Sequence, residues 1–270
     1  VTPELAIVIV GMNTHDWVRG CLHSLRAHAE VALEIVVVDN CSEDGSCEMI
    51  EREFPQVKLI RNEQLFGFAQ NNNIGSAHTS APLLLFLNPD TEVPAGSLRV
   101  MLDIIEREDR YGIFGGKLFD AEDEVERSVG TYPTLTSLFC DRLLAAFPPL
   151  RPVLDRFSQR HYLHYERERE VQWTTGAYLW IRRSVLDKLG GWDGEIFMYG
   201  EDADLCYRSR GAGYPVLYAP RSTAYHYHNK TPIDRSRRKR LLREGLTLYA
   251  RKHYGALRYQ LYRLVFAIFW

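Results

Sequence analysis

The chain has 270 residues, 46% of them hydrophobic and 25% charged, a length one large core can still hold and a composition that excludes a disordered chain. A formal net charge of −2 excludes a polycation built for nucleic acid, so no nucleic-acid partner is expected. Five cysteines without a C-x-x-C pair argue for free thiols in a reducing compartment and against a disulfide framework, and no apolar run of about 18 residues reads as a membrane span.

The first hundred residues alternate strand and helix signals. Short apolar runs at Leu5–Val10, Ile35–Val38, Val57–Ile60 and Leu83–Leu87, the first three with β-branched residues, predict strands. Between and after them, Asp16–His28, Asp44–Phe54, Ala69–His78 and Ser97–Arg107 predict helices. Continuous apolar strands separated by helices predict an α/β fold, a mostly parallel sheet covered on both faces. Ligands of such sheets bind at the carboxyl ends of the strands, where the unusual residues of this sequence fall. Residues 117–170 are less regular, punctuated by Pro133, Pro148, Pro149 and Pro152, and read as an insertion with some helix. Trp173–Arg183 predicts one strand, Ser184–Leu189 and Glu201–Arg210 predict helices, and Val216–Tyr218 and Thr223–Tyr227 predict two more strands. Arg235–Trp270 reads as helical.

Charge is unevenly spread. From Arg221 to Trp270 there are 12 Lys and Arg against two acids, Asp234 and Glu244, whereas the first 220 residues are acidic. An acidic body over residues 1–232 thus carries a basic amphipathic segment over 233–270. Such a tail is a solvated or packed face, or it meets an anionic surface such as a membrane.

Four groups of residues can carry chemistry. Asp39 ends the second strand, where a carboxylate can accept hydrogen bonds from a ribose or from the imide N–H of uracil or thymine. The alternative for this residue is a turn-forming Asp39-Asn40 pair. Dinucleotide-binding folds place an acid here too, but they need a G-x-G-x-x-G turn after the first strand. This chain has Gly11-Met12-Asn13-Thr14 instead, which argues against a nicotinamide-dependent oxidoreductase. Asn88 and Asp90 follow the Leu83–Leu87 strand in an N-P-D turn, a place for a hard divalent cation or a plain turn. Glu195, Glu201, Asp202 and Asp204 crowd around a helix start. They favour the macrodipole there, and beside Trp192, Phe197 and Tyr199 one of them could serve as a general base. His226 and His228, two apart on a strand, share a face and are either structural or a source of one metal ligand.

In order, VIVGMN, VVVDNCSEDG, GFAQNNNIG, FLNPD, TTGAYLWIRR and GWDGEIFMYGEDADLCYR closely resemble inverting family 2 glycosyltransferases of the GT-A fold, nearest to rhamnosyltransferase-like members. The resemblance spans about residues 4–230. It implies a Rossmann-like sheet, Mg2+ or Mn2+, a dTDP- or UDP-sugar donor with dTDP-rhamnose favoured, and a glycan or lipid-linked acceptor in cell-surface polysaccharide synthesis. By the same resemblance Asp39 binds the pyrimidine, while Gly11, Asn13, Gly67, Asn73 and Asn88 approach the nucleotide. Gly176 and Ala177 border the sugar, Asp90 and His226 hold the metal, and Asp202 with Glu201 forms the catalytic pair. Asn88 replaces the first acid of the family's D-x-D motif and removes one negative charge, and Leu65 stands where many relatives carry Asn. The insertion is the expected place of acceptor recognition. The expected location is cytoplasmic, peripheral on the inner membrane, with a homodimer among the partners considered. A catalytically degenerate scaffold is the alternative, against which the retained Glu201-Asp202 pair speaks.

Overall fold

The computed structural model describes residues 2–28, 31–159, 161, 164–227 and 234–269. In chain order the first half holds β1 (Leu5–Gly11), α1 (His15–Leu25), β2 (Leu33–Asp39), α2 (Ser46–Glu53), β3 (Lys58–Arg61) and α3 (Phe68–Ala77). It continues with β4 (Leu83–Leu87), β5 (Thr91–Glu92), α4 (Ser97–Arg107), β6 (Ile113–Phe119), β7 (Val129–Gly130) and α5 (Leu135–Ala146). The second half holds α6 (Arg151–Leu154), β8 (Arg169–Val171), β9 (Trp173–Thr174), β10 (Tyr178–Arg182), α7 (Arg183–Leu189) and α8 (Glu201–Gly211). After β11 (Val216–His226) come α9 (Arg235–His253) and α10 (Ala256–Phe269).

The large sheet has the order β3-β2-β1-β4-β10-β6-β11-β5, with β8 paired to β11, while β7 and β9 form a small second sheet. β3, β2, β1 and β4 run parallel, as their apolar runs predict, and β6 and β11 are parallel to each other. β10 runs antiparallel between β4 and β6, which makes the sheet mixed. Alternation along β1 shows how both faces are buried. Ile7 and Ile9 join one core with α1, α2 and α4, while Ala6 and Val8 join a second core with Leu205, Trp192 and Tyr249. Each of the fully buried Ile7, Val8 and Ile9 side chains contributes about 1.5–3 kcal/mol. Helix α4 buries Leu98, Met101, Leu102, Ile104 and Ile105 at helical spacing, which is why Ser97–Arg107 is legible from sequence.

Three expectations change. Trp173–Arg183 is not one strand: it breaks at Thr175–Ala177, because β9 belongs to the small sheet with β7 and β10 to the large one. Val216–Tyr218 and Thr223–Tyr227 are one strand, β11, whose register on β6 shifts between Ala219 and Thr223 around Pro220. The insertion begins later than residue 117, since Lys117–Phe119 completes β6, a strand inside the sheet. Gly115 and Gly116 mute the strand signal of IFGGKLF for a packing reason: a Cβ on Gly115 would lie 2.1 Å from Thr174 Oγ1.

The basic C-terminal segment packs on the body. Tyr249 of α9 is fully buried in the second core, and Leu246, Ala250 and Tyr262 form a third cluster with Leu138 of α5. Among the described residues no helix is long and apolar enough to cross a membrane.

Candidate active site

A cavity of about 820 Å³ opens at the carboxyl ends of β1 and β4. Its lining includes Gly11, Asn88, Asp90, Gly176, Ala177, Glu201, Asp202 and His226, eight residues singled out from sequence and separated by up to 215 positions. Sheet register explains part of this convergence. His226, the last residue of β11, pairs with Thr91 of β5, and the Tyr227 N–H donates to the Asp90 carbonyl at 2.9 Å, so the histidine ring is set beside the N-P-D turn.

His226 Nε2 lies 3.4 Å from Asp90 Oδ1 and 3.2 Å from Asn88 Nδ2. Its other nitrogen, Nδ1, is 2.9 Å from Glu126 Oε2, and Asp90 and His226 are both buried. Burial alone would lower the imidazole pKa, but hydrogen bonds to Asp90 and Glu126 outweigh it and hold it at about 9. His228 lies outside the described residues.

Helix α8 brings the acidic pair. Tyr199 and Gly200, at φ 67° and 100°, are consecutive left-handed residues that turn the chain sharply into the first helical turn. Asp202 is half-buried at the cavity, whereas Glu201 is buried and its Oε2 has no hydrogen-bond partner among the described residues. Burial, with Asp202 adjacent, raises the Glu201 carboxyl well above its ordinary range. Asp204, one turn in, points away: it accepts from His253 Nε2 at 2.6 Å and Arg208 Nε at 2.7 Å, tying α8 to α9. Trp192 stands under the pocket, edge-on to Phe68 and Phe86 with ring centroids 5.8 and 5.0 Å away.

Four expected residues do not line the cavity. Asp39 is buried at the end of β2, its Oδ2 accepting from the Ser42 N–H at 3.0 Å, and Asn40 is the member of that pair that reaches the wall. Asn13, at φ 51°, stitches two loops together: its N–H donates to Ser42 Oγ, and its Oδ1 accepts from the Glu43 N–H, both at 2.8 Å. Asn73 is spent on structure, because its amide makes two 2.8 Å hydrogen bonds with the Trp192 backbone, so it clamps α3 to the loop before α8. Gly67 caps α3 against the backbone of Phe197, where a Cβ would sit 2.4 Å from the carbonyl oxygen.

A family model for glycosyl transferase family 2 matches residues 6–190, more than two thirds of the sequence. The chain belongs to glycosyl transferase family 2. It is similar to the N-acetylglucosaminyl-diphospho-decaprenol L-rhamnosyltransferase of Mycobacterium tuberculosis, at 28% identity over 84% of this chain and 77% of the relative. It is also similar to the rhamnosyltransferase WbbL of Escherichia coli, at 28% identity over 82% of both chains. In fold this glycosyltransferase resembles the mannosyltransferase PcManGT of Pyrobaculum calidifontis, solved with GDP-Man and Mn2+, with a TM-score of 0.63 and 17% identity. The alignment covers 95% of this chain and 66% of that one. GalNAc-T7, solved with UDP, GalNAc and Mn2+, gives a TM-score of 0.64 at 19% identity over 93% of this chain and 48% of that one. The GT-A fold and a glycosyltransferase activity follow.

Two parts of the glycosyltransferase's cavity were not legible in the sequence. Glu126 stands in an irregular acidic stretch of the insertion that offers no periodicity to single it out. Arg237, Arg238, Leu241, Leu242 and Leu246 of α9 also line the cavity, although their interleaved pattern reads as a separate tail. The insertion itself supplies Pro133, Asp141 and Gln159 to the wall.

The donor set suits a hard divalent cation. Asp90 offers a carboxylate, Asn88 an amide oxygen and His226 an imidazole whose Nδ1 is occupied by Glu126, so that Nε2, which lies towards Asp90, could bind a cation once the cation displaces its proton. Among the described residues no three His, Cys, Asp or Glu side chains are arranged to hold an ion by themselves. Such a site needs substrate phosphates and water to complete it, as Mg2+ and Mn2+ sites on nucleotide enzymes do.

Proposed function

We propose that this chain is a metal-dependent, inverting glycosyltransferase moving a sugar of the rhamnose type from a dTDP or UDP carrier to a glycan or lipid-linked acceptor in cell-surface polysaccharide synthesis. The observation that carries this reading is that Asp202 and the Asn88–Asp90–His226 group border one cavity at the strand ends. The names of the two rhamnosyltransferase relatives support the sugar.

In this reading residues 1–232 form the catalytic unit, with the nucleoside near Gly11, Asn13, Asp39 and Asn40 and the transferred sugar over Gly176 and Ala177. Asp202, half-buried and next to Glu201, whose burial favours its protonated form, takes the proton of the acceptor hydroxyl. The acceptor oxygen bonds to the anomeric carbon while the bond from that carbon to the diphosphate oxygen breaks. The electron pair leaves with the nucleoside diphosphate, and the configuration inverts. Mg2+ or Mn2+ held by Asp90 and His226, with Asn88 beside them, would neutralise charge on the leaving diphosphate. Glu126 keeps the His226 ring oriented.

The 233–270 segment, in the same reading, rests on an anionic membrane surface. Leu257, Leu261 and Leu264 are exposed at 75%, 45% and 61% and recur at helical spacing on α10, opposite the fully buried Tyr262. Arg258 flanks that stripe, giving an apolar and basic face of the kind that lies in a bilayer interface.

Incubation with dTDP-rhamnose or UDP-sugars plus Mn2+ tests the proposal. Nucleoside diphosphate should be released and a product of inverted configuration should form. Asp202→Asn should lower turnover by about 10²–10⁴-fold, and Glu201→Gln should retain most of it. Nucleotide binding without any turnover would instead leave a nucleotide-sugar-binding scaffold.

A further inference from the structure

Helix α9 has a second face. Arg240, Arg243, Thr247 and Arg251 recur at the spacing of successive helical turns and line an open groove of about 530 Å³, which Tyr259 of α10 also lines. This groove shares no lining residue with the active-site cavity.

Charge in the groove is one-sided. Three guanidinium groups border it with one carboxylate, Glu244, and among the described residues none of the three arginines makes an ion pair or a hydrogen bond. Elsewhere on the surface arginines are matched: Arg19 with Glu53, Arg61 with Glu51, Arg107 with Glu168 and Arg210 with Glu170. Like charges gathered on one helix face repel, and an external anion offsets that repulsion. Phosphate oxygens suit guanidinium groups best, because they pair bidentately. Arg243 and Arg251 are separated by about 12 Å of helix, a length that suits a phosphate with further polar substituents better than a bare one.

Helix α10 points to the source of that phosphate. At about 100° per residue, the order round this helix from its buried to its exposed side is Tyr262, Tyr259, Arg263, Gln260, Leu264. Arg263 stands over the Tyr259 ring, 5.7 Å from its centroid. The groove and the exposed stripe of Leu257, Leu261 and Leu264 are thus two levels of one helix, separated by a polar belt and by about its 10 Å diameter. With those leucines a few ångströms inside the hydrocarbon, the groove lies in the polar layer of a bilayer, which is about 5–8 Å thick.

We propose that the groove between α9 and α10 binds the headgroup of an anionic phospholipid, with Arg240, Arg243 and Arg251 on the phosphate oxygens and Thr247 and Glu244 towards headgroup hydroxyls. The proposal deepens the membrane reading above and rests on it for the source of the ligand: one groove, rather than diffuse charge, recognises the lipid. The opposite side of α9 walls the active-site cavity, so a lipid seated in the groove fixes how that cavity is presented to the bilayer.

The test titrates dihexanoyl-phosphatidylglycerol, kept monomeric, into the full chain in a calorimeter, with dihexanoyl-phosphatidylcholine and inorganic phosphate as comparison probes. The first should bind saturably and about tenfold or more tighter than either of the others. Arg243→Gln/Arg251→Gln should raise its dissociation constant by about tenfold or more, since charge-assisted contacts are lost. Thr247→Glu, which adds a carboxylate in the middle of the groove, should do the same. Lys239→Gln/Arg258→Gln removes equal charge from exposed residues outside the groove and should leave that constant nearly unchanged. All these positions are exposed or half-buried, and an unchanged melting point shows that each variant is folded. Equal binding of the choline lipid, or equal binding of inorganic phosphate, overturns the proposal. So does a dimer that Thr247→Glu dissociates, which would make the occupant the acidic body of a second copy. The two readings fail separately. Binding to phosphatidylglycerol vesicles that falls equally in both double variants, by about fivefold per charge, removes the groove and keeps the membrane. Saturable binding of the monomeric lipid by a chain that ignores vesicles does the reverse.

Discussion

Gly245 in the middle of α9 lies against Tyr199, so closely that a Cβ built on it would be 1.9 Å from the Tyr199 carbonyl oxygen. Tyr199 and Gly200 form the left-handed turn that sets the first turn of α8 and hence Asp202. A residue in the basic segment therefore fixes the position of the carboxylate proposed as the base.

Gly245→Ala should push α9 away from that turn. Overpacking of this kind destabilises by about 1–3 kcal/mol, so thermal denaturation should show a melting point lower by several degrees. Turnover should fall as well, with nucleotide affinity much less affected, because Asp90 and His226 sit on other elements. An unchanged melting point would mean that α9 does not press on Tyr199 in solution.

Glu201 predicts a pH dependence of stability. Burial, with Asp202 beside it, raises its folded pKa well above its ordinary 4.5, so the fold favours the neutral acid. The stability this group contributes is complete below pH 4.5 and is lost as pH rises towards the folded pKa. Glutamine mimics the neutral form without titrating. Glu201→Gln should therefore gain stability relative to the parent chain as pH rises above 4.5, measured by urea unfolding at several pH values. A constant difference across pH would contradict a buried, neutral Glu201.

At the proposed cation site, direct and indirect partners should separate. Asp90→Ala and His226→Ala should remove Mn2+-dependent binding of UDP or dTDP, as read by calorimetry. Glu126→Ala, which removes the partner of the far nitrogen of His226, should weaken Mn2+ affinity by about 10–100-fold without abolishing it. Glu126→Gln, still able to bond Nδ1, should recover part of that loss. Nucleotide affinity indifferent to a chelator in the parent chain would remove the assignment.

For the membrane surface, vesicle flotation is decisive. The intact chain should float with anionic vesicles and release at high salt, since each basic residue near such a surface contributes about 1 kcal/mol. Replacing Leu257, Leu261 and Leu264 together by Ser should abolish flotation without unfolding the chain, because all three side chains are exposed. Binding that survives this triple change would place the contact elsewhere.

The sequence by itself determined the parts that repeat a local physical signal. Four short apolar runs became β1, β2, β3 and β4, and the apolar stripe of Ser97–Arg107 became α4 with the predicted bounds. Asp90, Asp202 and His226, singled out in the sequence beside the ends of strands or the start of a helix, border one cavity in the structure. Tertiary structure alone decided what depends on contacts between distant elements. It split Trp173–Arg183 between two sheets, fused two short runs into β11, and hid β6 behind a pair of glycines that Thr174 and Tyr178 require. It turned Asn73 from a ligand candidate into a clamp on the Trp192 backbone, and it brought Glu126 to His226 across 100 residues. It also folded α9 back onto the active-site turn. Periodicity reports which face of an element is buried, whereas the partner on that face is set by packing, and this is why a basic tail in the sequence is a cavity wall in the fold.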